Sequence, residues 1–284
     1  MRPLSWSDLP GWSQDDHAAA WAVFAAGAQQ DGGARQWFEA LFEPVEISRS
    51  AHYTGYYEPE LRGARRRSAE FPAPLHAMPK GLPTLWHTRA VITGQNLLRG
   101  YEIAYVESAI EAFLAQVQGS VRLRTPEGPM RLGFAGKNGH PYRSIGRELV
   151  RRGVAPPEQL TPEVIRAWCR AHPEQVADLL NHNPSYVFFR ELDLPPHLGP
   201  IGAMAVPVTP GRTLAVDPEV IPLGSPVWVE CPGWGARLMV AQDTGSAIKG
   251  VGRGDIFIGS GAEAGRIAGN INARGRMVWL RRRA

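Results

Sequence analysis

From residue 199 onward the chain breaks into short β-runs at 203–208, 214–216, 226–230, 237–241, 256–258 and 276–280, with turns carrying Gly or Pro between them. Strands this short, reversing this often, predict an all-β assembly, most simply a small closed barrel. Inside this region the stretch AQDTGSAIKGVGRGDIFIG at 241–259 sets Asp243 and Asp255 among Gly245, Gly250, Gly252, Gly254 and Gly259. Glycines free the backbone for unusual dihedrals and let a bulky ligand approach closely. A carboxylate at a strand end beside such a backbone is what acid catalysis on a polymer needs. The competing reading is a set of tight turns in which the aspartates act as turn formers.

The remaining 198 residues are less uniform. Trp21, Phe24 and Ala25, then Trp37, Phe38, Leu41 and Phe42, recur at helical spacing. This predicts one or two helices over 13–43, divided at Gly32 and Gly33, with the aromatics in the core. Tyr53, Thr54, Tyr56 and Tyr57 predict a strand that Glu58 and Pro59 end. Residues 62–84, rich in Pro and Arg, read as a surface loop. A helix is expected over 102–116, short strands over 119–134, and a polar loop over 135–144. Helices follow at 145–152, at 161–168 with Thr161 as N-cap and Pro162 in the first turn, and from His172 to about Asn183. A strand is expected at 184–189, and one short helical turn at 263–267.

Composition excludes several classes. At 284 residues, 44% hydrophobic and 20% charged, the chain is an ordered globular protein of one large or two ordinary domains. A net charge of +4 suits an anionic partner but is too small to argue nucleic-acid binding. The apolar run at 18–28 is about half of the roughly 20 residues that a membrane helix needs. No basic segment precedes it in the manner of a signal peptide. Cys169 and Cys231 are far apart and match no metal spacing, so two buried thiols are expected. His140 has no second His or Cys at ligand spacing, which argues against a metal site, and no cofactor is implied.

Six segments taken in order are more specific than any one of them. YTGYYEP at 53–59, VQGS at 117–120, FAGKNGHPYRSIG at 134–146, NPSYVFF at 183–189, MAVPVTPGRTLAVD at 204–217 and QDTGSAIKG at 242–250 together resemble the membrane-bound lytic murein transglycosylase A family. The resemblance implies a mixed α+β protein: a double-psi β-barrel domain from 1–88 and 192–284 and a smaller, β-rich inserted domain at 89–191, with a glycan strand held in a groove between them. It implies cleavage of the β-1,4 bond between N-acetylmuramic acid and N-acetylglucosamine in peptidoglycan, leaving a 1,6-anhydromuramoyl end. It ranks Asp255, in GDIF at 254–257, as a single general acid and base, with Asp243 as its accessory. Ser246 stands where the family often has glycine, and Arg253 and Gly254 precede the acid; both bear on loop shape more than chemistry. The family's exported leader and lipid-attachment cysteine are absent from this sequence, which puts the anchor and not the activity in question; the resemblance implies a periplasmic setting and leaves outer-membrane association open.

The remaining candidates suit an uncharged, hydroxyl-rich polymer. Tyr56, Tyr57, Tyr142 and Tyr186 can stack on sugar faces, and Gln118, Ser120, Asn138 and Ser144 can hydrogen-bond acetamido and hydroxyl groups. Lys137, Arg143 and Lys249 can meet carboxylates. Each has a structural alternative: Lys249 as partner of Asp243, Gln118 and Asn138 as supports of loop backbone, Glu58 as a strand-end residue rather than a second acid, and Asp217 as a turn former. Two other functions compete: a hydrolytic glycosidase in which Asp243 activates water, and a wall-binding protein without catalysis.

Overall fold

The computed structural model describes residues 2–25 and 33–283. The chain falls into two compact units, Met1–Tyr57 with Pro196–Ala284, and Glu58–Pro195. In chain order the first unit begins with β1 (Arg2–Pro3), α1 (His17–Phe24), α2 (Ala34–Leu41) and the long β2 (Phe42–Glu58). The second unit holds β3 (Glu60–Ala64), β4 (Ala73–His76), α3 (Arg89–Gly94), β5 (Glu102–Val106), α4 (Ala109–Gln118), β6 (Ser120–Thr125) and β7 (Gly128–Lys137). It continues through α5 (Ile145–Arg151), α6 (Pro162–Ala171), α7 (Val176–Asn181) and β8 (Val187–Glu191). The chain then returns to the first unit with β9 (Thr213–Val216), β10 (Pro226–Cys231), β11 (Gly235–Asp243), β12 (Arg253–Ser260), α8 (Gly261–Asn270) and β13 (Asn272–Arg282).

The expected barrel is present in the first unit. Its strands run in the order β1-β2-β12-β9-β11-β10-β13, and β13 pairs back onto β2, closing six strands with β1 added at one edge. Closure satisfies the backbone groups that short strands would otherwise leave at open edges. Alternation sorts the side chains. Val227, Val229, Met239 and Met277 point into the barrel with Tyr53, Leu214, Val216 and Ile256, while Trp228, Leu238 and Val278 point outward. That outer patch is covered by the N-terminal helices through Trp12, Trp21 and Phe38, with Trp12 edge-on to Trp228 at 5.3 Å. Trp21, Phe38 and Phe42 are therefore core, with Phe24 packed against them, as their spacing predicts, whereas Trp37 is exposed. Asp16 starts α1 as N-cap, accepting from the Ala19 N–H at 2.9 Å. Gly33 caps α2 with φ 79°, whereas Gly32 and the end of the apolar run at 26–28 lie outside the described residues.

The second unit is a six-stranded sheet in the order β4-β5-β3-β6-β7-β8, with α4 packed on it through Ala112 and Ala115 and against the other helices through Ile110 and Phe113. It corrects three expectations. Residues 62–84 are not simply a loop, because β3 and β4 both pair with β5. For the same reason the chain enters the second unit at Glu58 and not near residue 88. The stretch 102–116 is not one helix: Glu102–Val106 is a strand, and Ser108 then caps α4 by accepting from the Glu111 N–H. Apolar residues at 103, 106 and 110 follow the helical period, but Ala104 and Val106 form the buried face of β5, and its two flanking strands decide for a strand. In the first unit, 203–208 forms turns and a single bridge, Ile201 with Pro207, instead of a strand, and α8 extends the expected short turn to Gly261–Asn270.

Thr161 caps α6 as expected, with Pro162 at the first position. Cys169 and Cys231 are buried free thiols. Among the described residues, no helix is long and apolar enough to cross a membrane.

Candidate active site

The site is built on the outer face of the barrel, where a small side chain leaves room. β9 sends Leu214 and Val216 into the interior, so Ala215 between them faces outward. Asp255 of β12 and Asp243 of β11 are its direct partners on either side. Residues aligned across strands share a face. Neighbouring strands lie about 4.8 Å apart, so the two carboxylates spring from backbone positions about 10 Å apart above one methyl group. Asp243 faces outward because of a bulge: Ala241 is opposite Leu214 and Asp243 is opposite Ala215, leaving Gln242 as the extra residue. Without it the period of two would turn Asp243 toward the interior. The bulged Gln242 is itself fixed, accepting from the Thr213 hydroxyl at 2.7 Å and donating to the Val23 carbonyl at 3.1 Å.

The donors around the two carboxylates differ. Asp243 Oδ2 accepts from the Tyr56 hydroxyl at 2.8 Å, and Oδ1 accepts from the backbone N–H groups of Ala203 at 3.0 Å and Thr244 at 2.9 Å. Ala203 reaches it because residue 202 is glycine: a Cβ there would lie 3.0 Å from the Gln242 carbonyl oxygen and 3.5 Å from Asp243 Cγ. Asp255 Oδ1 accepts a short hydrogen bond from the Thr54 hydroxyl. Thr54 Oγ1 in turn accepts from Arg253 Nη2 at 2.7 Å, and Arg253 Nη1 donates to the carbonyls of His52 (3.2 Å) and Gly254 (2.5 Å). These contacts advance in step along β2 and β12: Thr54 meets Asp255, and the Tyr56 ring lies 5.2 Å from that of Phe257.

Burial decides the electrostatics. It pushes the Asp255 carboxyl above its ordinary value; the Thr54 hydrogen bond and the Arg253 and His52 charges oppose that, and Asp243 adds to it. Burial also raises Asp243, against the three donors that favour its ionised form. The Tyr56 hydroxyl is pushed far up by burial and by Asp243, so it stays a donor. Asp243, with three direct donors, is the better-stabilised anion, and its charge favours a proton on Asp255.

Of the sequence candidates, Asp243, Asp255 and Tyr56 come together here. Tyr56 acts through its hydroxyl on Asp243. The Tyr57 ring packs on α8, where a Cβ at Gly265 would lie 2.7 Å from it. Lys249 does not pair with Asp243: its ammonium lies 3.1 Å from Asp217 Oδ1, and Asp217 also accepts from the N–H groups of Gly250 and Glu219, the work of a turn former. Glu58 is not an available acid, since it is fully buried and takes hydrogen bonds from Arg122 and Arg131.

The other candidates belong to the second unit. Asn138 is fully buried and ties loops together, donating to the carbonyls of His87 and Pro184 and accepting from the Tyr186 N–H, each at 2.8 Å. Tyr186 is buried with its hydroxyl 2.8 Å from His76 Nδ1, so its ring does not lie open for stacking on a sugar. Ser144 caps α5 through the Arg147 N–H. Ser120, the first residue of β6, is buried, and Gln118, the last of α4, is half-buried. Lys137 at the end of β7 and Arg143 are exposed, and Tyr142 is half-buried. Among the described residues, no group of three or more His, Cys, Asp and Glu side chains is placed to hold a metal ion.

Sequence reasoning missed Thr54, Arg253 and His52 as part of the site. A signal existed in the alternation: 52, 54 and 56 share one face of β2, and 253, 255 and 257 share one face of β12. What was missing was that the two strands are neighbours.

Comparison with known proteins adds an independent line. The MltA specific insert domain matches residues 52–190, and the 3D domain matches residues 212–281. Membrane-bound lytic murein transglycosylase A of Escherichia coli K12 is 39% identical over 245 residues, 81% of this chain and 65% of that protein. The match thus spans just under two thirds of that relative's length. The crystal structure of a membrane-bound lytic murein transglycosylase from Agrobacterium tumefaciens superposes with a TM-score of 0.87 at 33% identity, covering 99% of this chain and 97% of that one. The structure of E. coli MltA with bound chitohexaose gives 0.77 at 31% identity, covering 98% and 90%.

Proposed function

The chain belongs to the membrane-bound lytic murein transglycosylase A family, and from this we propose that it cleaves the glycan strands of peptidoglycan, with Asp255 as general acid and then base. The bond broken is the β-1,4 linkage between N-acetylmuramic acid and N-acetylglucosamine, and the product carries a 1,6-anhydro ring. The observation that carries the reading is the unequal carboxylate pair over Ala215, one with three direct donors and one with the Thr54 hydroxyl. The chitohexaose bound to E. coli MltA is itself a β-1,4-linked glycan and fits the same substrate class. The relatives' description as membrane-bound fits action on the wall in the periplasm, near the outer membrane.

The chemistry follows from one proton moving twice. Asp255, held neutral by burial and by the neighbouring Asp243 charge, gives its proton to the glycosidic oxygen as the C1–O bond breaks. The resulting carboxylate takes the proton of the muramic C6 hydroxyl, whose oxygen bonds to C1. No water is consumed, and the intramolecular nucleophile replaces the second carboxylate that hydrolysing glycosidases use. Asp243 stays ionised in its three donors and sustains the proton affinity of Asp255.

Mass spectrometry of digested peptidoglycan tests the reaction type. The released muropeptides are expected at the anhydro mass; products heavier by one water would establish hydrolysis, with Asp243 as the activating base. A second measurement tests the Thr54 contact. Its hydroxyl favours the ionised form of Asp255, so Thr54→Val raises that carboxyl further. Since the acid form starts the reaction, the falling alkaline limb of kcat moves to higher pH. An unmoved limb would remove Asp255 from the role of acid.

A further inference from the structure

The second unit contains a cavity of about 430 Å³, within the span of small-ligand pockets, about 300–1,000 Å³. Its walls include Pro72, Ile92, Leu98, Phe113 and Leu180, and Arg89 and His76 line it from within the core. Arg89 is only 5% exposed yet makes no ion pair with an Asp or Glu among the described residues. Its Nε donates to the Asn183 carbonyl (3.2 Å) and its Nη2 to the Ser185 carbonyl (2.7 Å) and Gln116 Oε1 (2.5 Å), while Nη1 donates to none of the described residues. The rings of Phe113 and Tyr186 lie 4.7 and 4.9 Å from its guanidinium carbon. A buried cation without a counter-charge is costly, and backbone dipoles and ring faces compensate it only in part.

A row of polar side chains sets a second candidate donor beside it. Gln116 Oε1 is occupied by Arg89, which leaves its amide nitrogen as the group that acts on the Tyr186 hydroxyl and favours its oxygen as acceptor. That hydroxyl lies 2.8 Å from His76 Nδ1, and with its oxygen facing Gln116 its proton is the one free to bridge to the ring. In the tautomer that accepts this bond, the proton of the neutral His76 ring sits on Nε2, which meets none of the described residues although the side chain is only 6% exposed. Glu102, whose charge acts on His76, is turned to the Gly100 N–H at 2.7 Å.

We propose that this cavity binds the free terminal carboxylate of a short peptide, with Arg89 Nη1 and His76 Nε2 as donors to its oxygens and the apolar walls around small side chains. An arginine and a neutral imidazole N–H are donors only, so they call for an acceptor, and the missing negative charge makes it a carboxylate. Asn96, Asn181 and Thr93 on the same wall can pair peptide amides, which the chain of a fatty acid would leave unsatisfied. The carboxylate can come from a peptide stem of the wall or from a free peptide.

Calorimetry with acetyl-alanyl-alanine, its C-terminal amide, and a stem-bearing anhydromuropeptide tests this on the full chain. The acid is expected to bind at about millimolar concentration or below, and the amide about tenfold or more weakly. Arg89→Gln is expected to lose the difference between them. Because Arg89 also supports the backbone at 183–185, Ala177→Trp provides a second test. Ala177 is exposed and lines the cavity, so the indole blocks it with the melting temperature and glycan cleavage unchanged and acid binding lost. Tighter binding of the muropeptide than of the dipeptide identifies the wall as the source, and the reverse identifies free peptide. Equal affinity for acid and amide, no binding of either, or undiminished binding in Ala177→Trp overturns the proposal. Glycan cleavage is read separately, so its failure would leave this result standing.

Discussion

Replacing Asp255 by alanine or asparagine lowers turnover of purified peptidoglycan by about 10²–10⁴-fold, the span that general acid–base catalysis contributes. Sedimentation with peptidoglycan persists, because the change removes a proton donor and leaves the barrel intact. The Asp255→Asn protein is also expected to be more stable than the parent at neutral pH. The sign follows from the folded-state carboxyl, raised above its ordinary value first by burial. The native protein holds that proton to a higher pH than the unfolded chain does. The stabilising contribution is whole below the unfolded value, about 3.9, and is lost as pH rises through the folded one. Asparagine carries no charge to desolvate, so its advantage in melting temperature is greatest at neutral pH and shrinks on acidification. Activity comparable to the parent would end the assignment of Asp255; an advantage that grows on acidification would mean that the carboxyl is not raised.

Glu58→Gln is expected to destabilise the second unit by about 3–5 kcal/mol, the cost of breaking a buried pair from one side. The Glu58 carboxylate is fully buried at the end of β2. Arg131 grips it with two bonds of 2.7 Å, Nε to Oε1 and Nη2 to Oε2, and Arg122 Nε adds a third at 2.6 Å. Those arginines stand on β6 and β7, so one side chain links the chain's entry to two adjacent inner strands. The amide keeps the shape but leaves the buried Arg131 without its charge partner. Urea denaturation followed by circular dichroism measures the loss. Glu43→Gln, at the exposed pair with Arg281, serves as the control with little change. A loss at Glu58 no larger than that control would show that the buried triad contributes specificity rather than stability.

Much of the fold was legible because it rests on local periods. Val227 and Val229 alternate with Trp228, glycines and prolines mark the reversals, and Thr161 followed by Pro162 starts a helix. Where the local pattern read as helical, as at 102–116, pairing with β3 and β4 decided for a strand over 102–106. Asn138 and Tyr186 carry polar atoms that suit a sugar equally well, and only their burial shows that those atoms are already engaged.

The same division holds at the site. The sequence alone determined the barrel class and the family resemblance, because each rests on short-range order along the chain, and that resemblance nominated Asp255 ahead of Asp243. The tertiary structure decided what surrounds them. Thr54 reaches Asp255 across 201 residues and Tyr56 reaches Asp243 across 187, while Lys249 turns to Asp217 instead. Strand alternation fixes which face a side chain takes, but barrel closure and the bulge at Gln242 fix its neighbours, and the protonation of a buried carboxyl depends on those neighbours.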